Sequence, residues 1–226
     1  MVTDDHPRDP ASDAMLARRA QILATEHWGL LAARSTAQSE VLTRITIYLT
    51  LVSAGLVTIG ILGQASRFSG WFAGASLTIL GFLSLVGLMT QTRVSNVAEE
   101  DLMYVVAMNR LRGAYVDLDP AVERYFLAGI ADDLPGSQRT YSFLRQRGFS
   151  HLFGSSAVLI IVVDACVWGL FVGAIARSLN LTIEWAIVFA VVVALAGAVA
   201  FLYRGRWTYI EAWRHHEPLR TTPPTG

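Results

Sequence analysis

The sequence predicts an all-α, polytopic membrane protein with four transmembrane helices, some of them extended into a cytoplasmic helical bundle. Three observations carry that prediction. Charged residues are 16% of the 226-residue chain and hydrophobic residues 53%, whereas soluble domains average roughly 25% charged. Four apolar runs reach the ~20 residues that a hydrocarbon core demands. Every arginine except Arg67 and Arg177 lies outside the two short links that join those runs in pairs.

Residues 1–13 are acidic and polar, show no signal-peptide pattern, and read as a disordered tail. Over 14–42, Leu16, Ile22, Leu23, Leu30 and Leu31 recur among Arg, Glu and Gln, and no proline interrupts them. That spacing predicts a cytoplasmic helix leading into span one. Span one is Thr43–Leu62 and span two Trp71–Thr90, so 43–90 forms the first transmembrane hairpin. The 91–155 connection is read as a cytoplasmic helical region. Val94–Tyr115 has helical periodicity and continues span two inward. Asp119-Pro120 is a helix start, with an N-cap carboxylate ahead of a proline at the first helical position, and that helix runs to about Leu127. Asp132–Ser137 reads as a turn and Gln138–Gln146 as a further short helix. Spans three (Ser156–Ala176) and four (Thr182–Tyr203) make the second hairpin, 156–203. Residues 204–216 extend the last helix, and 217–226 read as a disordered tail by composition.

Arginine placement predicts the orientation. The N-terminal region, the 91–155 connection and the C-terminal region hold the basic residues, which puts all three in the cytoplasm. The expected setting is the bacterial inner (plasma) membrane, crossed several times, with both termini cytoplasmic. Trp71 and Trp185 fall where an outer aromatic belt would lie, Tyr203 and Trp207 where an inner one would.

Composition narrows the function classes. Basic and acidic residues balance at 18 each, so bulk charge predicts no nucleic-acid partner. Lysine is absent, which removes lysine nucleophiles and Schiff bases. A single cysteine, Cys166, excludes a disulfide within the chain. The P-loop, HExxH, GxSxG and Rossmann patterns are all missing. His215-His216 lacks a ligand constellation around it. The expectation is therefore no enzyme, no cofactor and no metal; the partners expected are the lipid bilayer, further copies of the chain and an inorganic ion.

Two patterns carry more specific information. Alternate steps of three and four along the first helix give Gly29, Ala32, Thr36, Ser39, Thr43, Thr46, Thr50, Ser53, Val57, Gly60 and Gln64. All but Val57 are small or polar, over roughly 50 Å of helix. Small residues let helices approach closely and hydroxyls bond between them, so the stripe can be a packing seam. It can also line a polar pore shared by several copies, with Thr43, Thr46, Thr50, Ser53, Val57 and Gln64 as the pore-lining candidates. The flanking faces, with Ile45, Tyr48, Leu49 and Val52, are apolar. The second pattern is Asp164, in LIIVVDACVWGL. A carboxylate at that depth costs several kcal/mol unless protonated, paired or hydrated. A protonated acid bonded to Thr or Ser hydroxyls of neighbouring spans is the expected form, and an ion or proton site is the functional reading. Glu184, at the outer end of span four, is a second ion-site candidate and reads as a solvated interfacial carboxylate. Ala165, Gly169 and Gly173 on span three and Ala186, Ala190, Ala194 and Ala198 on span four predict a close contact between those helices.

The segments EHWGLLAARSTAQSEVLTR (26–44) and MNRLRGAYVDLDPAVERYFL (108–127) resemble those of actinobacterial four-helix integral membrane proteins. More distantly, the chain is similar to SLATT-type bacterial membrane effectors, in which a cytoplasmic helix leads into a transmembrane hairpin. That likeness implies a pore-forming or membrane-disrupting role in defence; this chain departs from it by a second hairpin, and no functional residue carries over. Three functions follow as expectations. The first is an oligomeric ion channel lined by the first helix and controlled by cytoplasmic helices. The second is a non-conducting scaffold or sensor for a cytoplasmic partner. The third is a membrane effector of a bacterial defence system.

Overall fold

The computed structural model describes residues 10–142 and 155–223. The described chain is helical: α1 Pro10–Ser66, α2 Phe72–Leu118, a 3-10 helix Pro120–Tyr125, α3 Leu134–Tyr141, α4 Ser156–Ser178 and α5 Ile183–Arg214. Four of these, α1, α2, α4 and α5, are long and apolar enough to cross a membrane. The chain divides into two compact units. Unit 1 takes in Met1–Thr36, Glu100–Gln146 and His215–Gly226, and unit 2 takes in Ala37–Glu99 and Arg147–Arg214.

Unit 2 holds the four apolar stretches. Its core comes from Ala37, Val41, Ile45, Tyr48 and Val52 of α1, Leu80, Leu83, Val94 and Val97 of α2, and Ile160 and Val167 of α4. Gly55 of α1 lets Leu83 and Ile79 approach, and Phe171 of α4 packs over Gly81 of α2. Glu40 joins α1 to α2 by accepting from Arg93 at 3.1 Å, and it also accepts from Arg44 at 2.9 Å. The α1–α2 link turns on Gly70, in the left-handed region at φ +61°, and Phe68 N donates back to Gly63 O at 2.9 Å. Ser155 caps α4 by accepting from Val158 N at 3.2 Å. Asn180, at φ +61°, closes it, with Leu181 N donating to Ala176 O at 3.1 Å, the left-handed stop that asparagine tolerates.

The two small-residue stripes of α4 and α5 meet as their spacing predicts. A Cβ added at Gly169 would lie 2.8 Å from Ala190 O, and one at Gly173 would lie 3.3 Å from Ala190 Cβ. Outside that seam the apolar span of α5 is largely exposed, with Ile187, Val191, Val192, Leu195 and Val199 all facing outward. An apolar surface that continuous is stable only against lipid or another apolar chain.

Unit 1 packs the N-terminal part of α1, the C-terminal part of α2, the 3-10 helix, α3 and the C-terminal residues. Leu102, Val105, Met108 and Val116 of α2 and Ala131 are its buried apolar residues. Asp119 caps the 3-10 helix through Ala121 N at 2.9 Å, so the anticipated start is present, but only a 3-10 helix follows. Asp132–Ser137 is not a simple turn: Asp133 accepts from Gly136 N at 2.9 Å and starts α3 at Leu134. The remainder of the short helix expected over Gln138–Gln146 lies partly outside the described residues.

The C-terminal residues read as a free tail are instead tied down as far as Thr222. Leu219 N and Arg220 N donate to Asp132 at 3.1 and 2.8 Å. Thr222 donates to Asp133 through N at 2.6 Å and Oγ1 at 2.8 Å. Arg110 pairs with Asp132 and donates to Glu217 O at 2.9 Å, and Arg220 pairs with Asp117. Burial alone would push Asp132 up, but the Arg110 guanidinium and the Arg220 and Leu219 backbone N–H groups hold it below the usual carboxylate range. Composition says disorder here because it counts few apolar residues; the backbone donors find the buried Asp132 and the half-buried Asp133 all the same.

Candidate functional site

Asp164 sits on α4, about 12 Å of helix from Ser156, and is 1% exposed. Its partner is not a Thr or Ser hydroxyl. The Tyr48 phenol donates to Asp164 Oδ1 at 3.0 Å, and Tyr48 is wholly buried. The sequence puts this phenol on an apolar flank of α1; it lies there, and that flank is the one that packs. Between them passes α2, at Gly87. A Cβ built on Gly87 would overlap both Asp164 Oδ1 and the Tyr48 hydroxyl, so only glycine admits the pair at this position. Three helices therefore converge on one hydrogen bond. In hydrocarbon that bond has no water to replace it.

Two further polar side chains share this face of α2. At about 100° per residue, Ser84 and Gln91 fall within about 60° of Gly87, one turn to either side. Both are essentially buried, and among the described residues Ser84 Oγ, Gln91 Nε2 and Gln91 Oε1 have no hydrogen-bond partner. A carboxyl, a phenol, a hydroxyl and an amide thus lie along one buried stripe. Sequence reasoning passed over Tyr48, Ser84, Gly87 and Gln91. The available signal was the spacing Val41, Ile45, Tyr48, Val52, which carries a phenol into the middle of a core face.

The polar stripe of α1 points the other way. Within unit 2, Ser39, Thr43, Thr46, Thr50, Ser53, Val57, Gly60 and Gln64 are all exposed; within unit 1, so are Gly29, Ala32 and Thr36. Relative to Tyr48, the unit 2 positions cluster around the opposite side of the helix, at about 120–220°. Among the described residues, neither unit covers its part of the stripe. The threonine hydroxyls and that of Ser53 are instead satisfied by their own helix: Thr43 donates to Ser39 O at 3.0 Å, Thr46 to Leu42 O at 2.9 Å, Thr50 to Thr46 O at 2.8 Å and Ser53 to Leu49 O at 2.9 Å. Such back-bonding removes the cost of facing an apolar surface and leaves a narrow, smooth ridge. The structure does not bring these residues together with Asp164. Glu184 is exposed in the first turn of α5, where a carboxylate complements the helix N-terminus. Among the described residues, no three His, Cys, Asp or Glu side chains gather into a metal-binding group.

Four apolar helices, outward-facing apolar side chains and a buried polar brace define a multi-pass α-helical membrane protein. No known protein family, curated protein or solved structure matches the chain.

Proposed function

We propose that the protein is an oligomeric ion channel of the bacterial plasma membrane, with α1 of each copy facing a common axis and the helices of unit 1 controlling it. One observation carries this reading: every position of the α1 stripe is exposed, while the opposite face holds the packed Tyr48 and its neighbours. A ridge of small residues at a 3.5-residue average spacing is what a left-handed supercoil of like helices uses. Rings of Thr46, Thr50 and Ser53 would then supply hydroxyl oxygens to an ion. The Tyr48–Asp164 bond sets the rotation of α1, so Asp164 acts on conduction by holding the lining helix. The arginine distribution supports cytoplasmic termini.

The test combines assembly with flux. Cys166 is the only cysteine and is exposed, so Cys166→Ser gives a clean background. Thr50→Cys in that background should cross-link copies to each other, and Leu56→Cys, on a flank, should not. Ion flux into liposomes should fall at least tenfold in Thr50→Trp. A monomer without cross-links, or flux indifferent to Thr50→Trp, sinks the proposal.

A second reading is supported by unit 1. Met15, Ile22 and Trp28 of α1 are 70%, 59% and 71% exposed, more apolar surface than a solvated helix face needs. This favours a scaffold or sensor that docks a partner there. The defence-effector reading differs from the channel only in being closed at rest.

A further inference from the structure

Arg112 of α2, in unit 1, is a partly buried guanidinium without an acid. Its Nη1 donates to Asn109 Oδ1 at 2.7 Å, and among the described residues it forms no ion pair. Other guanidiniums of the unit differ. Arg34 is gripped by both oxygens of Asp101, at 2.6 and 3.1 Å, Arg110 by Asp132 and Arg220 by Asp117. Burial first, and then the like charge of Arg34, push the Arg112 pKa down. An unpaired cation in such a place costs free energy.

His27 of α1 faces the same spot. Its ring centroid lies 6.2 Å from that of Tyr115, three residues from Arg112 on the same face of α2. Burial, and then the charge of Arg112, push the His27 pKa down, so the imidazole is neutral at pH 7. Its Nδ1 is buried without a partner among the described residues. The guanidinium is held in place from below. Asn109 is wholly buried; its Nδ2 donates to Ala131 O at 2.9 Å, and its Oδ1 accepts from Thr140 Oγ1 at 2.7 Å as well as from Arg112.

We infer that Arg112 and His27 form a binding site for a phosphate-type oxyanion. The planar guanidinium fork matches phosphate oxygens, and the imidazole adds a second donor. The phosphate can belong to a soluble molecule or to a phospholipid headgroup. The site stands apart from the α1 stripe and does not depend on conduction.

Full-length protein in detergent, titrated calorimetrically with inorganic pyrophosphate at fixed ionic strength, tests the soluble source. Wild type should bind saturably, Arg112→Gln at least tenfold more weakly, Arg112→Lys in between, and Arg206→Gln as wild type. Bilayer discs with and without phosphatidylglycerol test the headgroup: the anionic lipid should raise the melting temperature of wild type and not of Arg112→Gln. Either result supports the site. Asn109 keeps its bond from Thr140 in Arg112→Gln, so that variant should fold, and the wild-type measurements stand without it. Wild type insensitive to both probes, or a response that Arg112→Gln leaves unchanged, overturns the site.

Discussion

Gly87→Ala tests the polar brace with one methyl group. The added Cβ would occupy the space of Asp164 Oδ1 and the Tyr48 hydroxyl. Overpacking of this kind costs about 1–3 kcal/mol, and separating a buried donor from its acceptor costs a further ~1–3 kcal/mol. The better helix propensity of alanine returns about 0.5–1 kcal/mol. The net is a loss of roughly 2–4 kcal/mol, which for a chain of this size is a fall in melting temperature of roughly 4–16 °C. Gly74→Ala is the control, because a Cβ there meets nothing within 4 Å; it should be neutral or slightly stabilising. Thermal unfolding in one detergent compares the two. Adding Asp164→Ala to Gly87→Ala should recover part of the loss, since the removed carboxyl vacates the contested space, giving a coupling of about 0.5–3 kcal/mol. Gly87→Ala as stable as Gly74→Ala would refute the three-helix convergence.

Tyr48→Phe removes only the hydroxyl. It should cost about 1 kcal/mol, a fall of a few degrees, because hydrogen bonds between membrane helices are individually modest; a loss as large as that of Gly87→Ala would mean the ring, not the bond, matters. Gly169→Leu should separate α4 from α5, since its Cβ already meets the Ala190 carbonyl; a fluorescence-transfer pair across the hairpin would report the opening, and unchanged transfer would count against the seam. The C-terminal residues should detach in acid. Asp132 and Asp133 have folded values below their usual ones, so their stabilising effect is complete above ~3.9 and is lost as pH falls through the lower folded values. A spin label at the exposed Thr221 should become mobile there and stay immobile at pH 7; Asp132→Asn should loosen it at neutral pH.

Much of the fold was legible in the sequence, since length and hydropathy are local properties and hydrocarbon leaves a backbone few options. The α4–α5 seam was legible as well, because Gly169 and Gly173 announce themselves by spacing. The brace was not. Gly87 looks like any small residue in an apolar run, and Tyr48 like a flank residue; their meaning comes from Asp164, far away in the chain. The α1 stripe was visible residue by residue, but its partner was not, because a ridge of small residues fits a neighbouring helix and a second copy equally well. The tail over 217–223 misled for a different reason. Composition measures apolar burial, and this segment is held by hydrogen bonds from its backbone to Asp132 and Asp133, acids whose pattern suggested only a turn.

The cost of Asp164 is better explained by orientation than by stability. Contacts between apolar helices in lipid discriminate weakly among rotations, since lipid tails are as apolar as the side chains they replace. A hydrogen bond with no aqueous substitute discriminates strongly. Turning α1 by one residue position, about 100°, carries Tyr48 away from Asp164 and leaves both groups bare in hydrocarbon, at a cost of several kcal/mol. The bond itself contributes little beside that penalty. The polar stripe lies on the far side of the same helix, so the one rotation the brace permits is also the one that turns Thr46, Thr50 and Ser53 outward. A buried acid that is a liability on its own helix thus decides which surface the first helix presents.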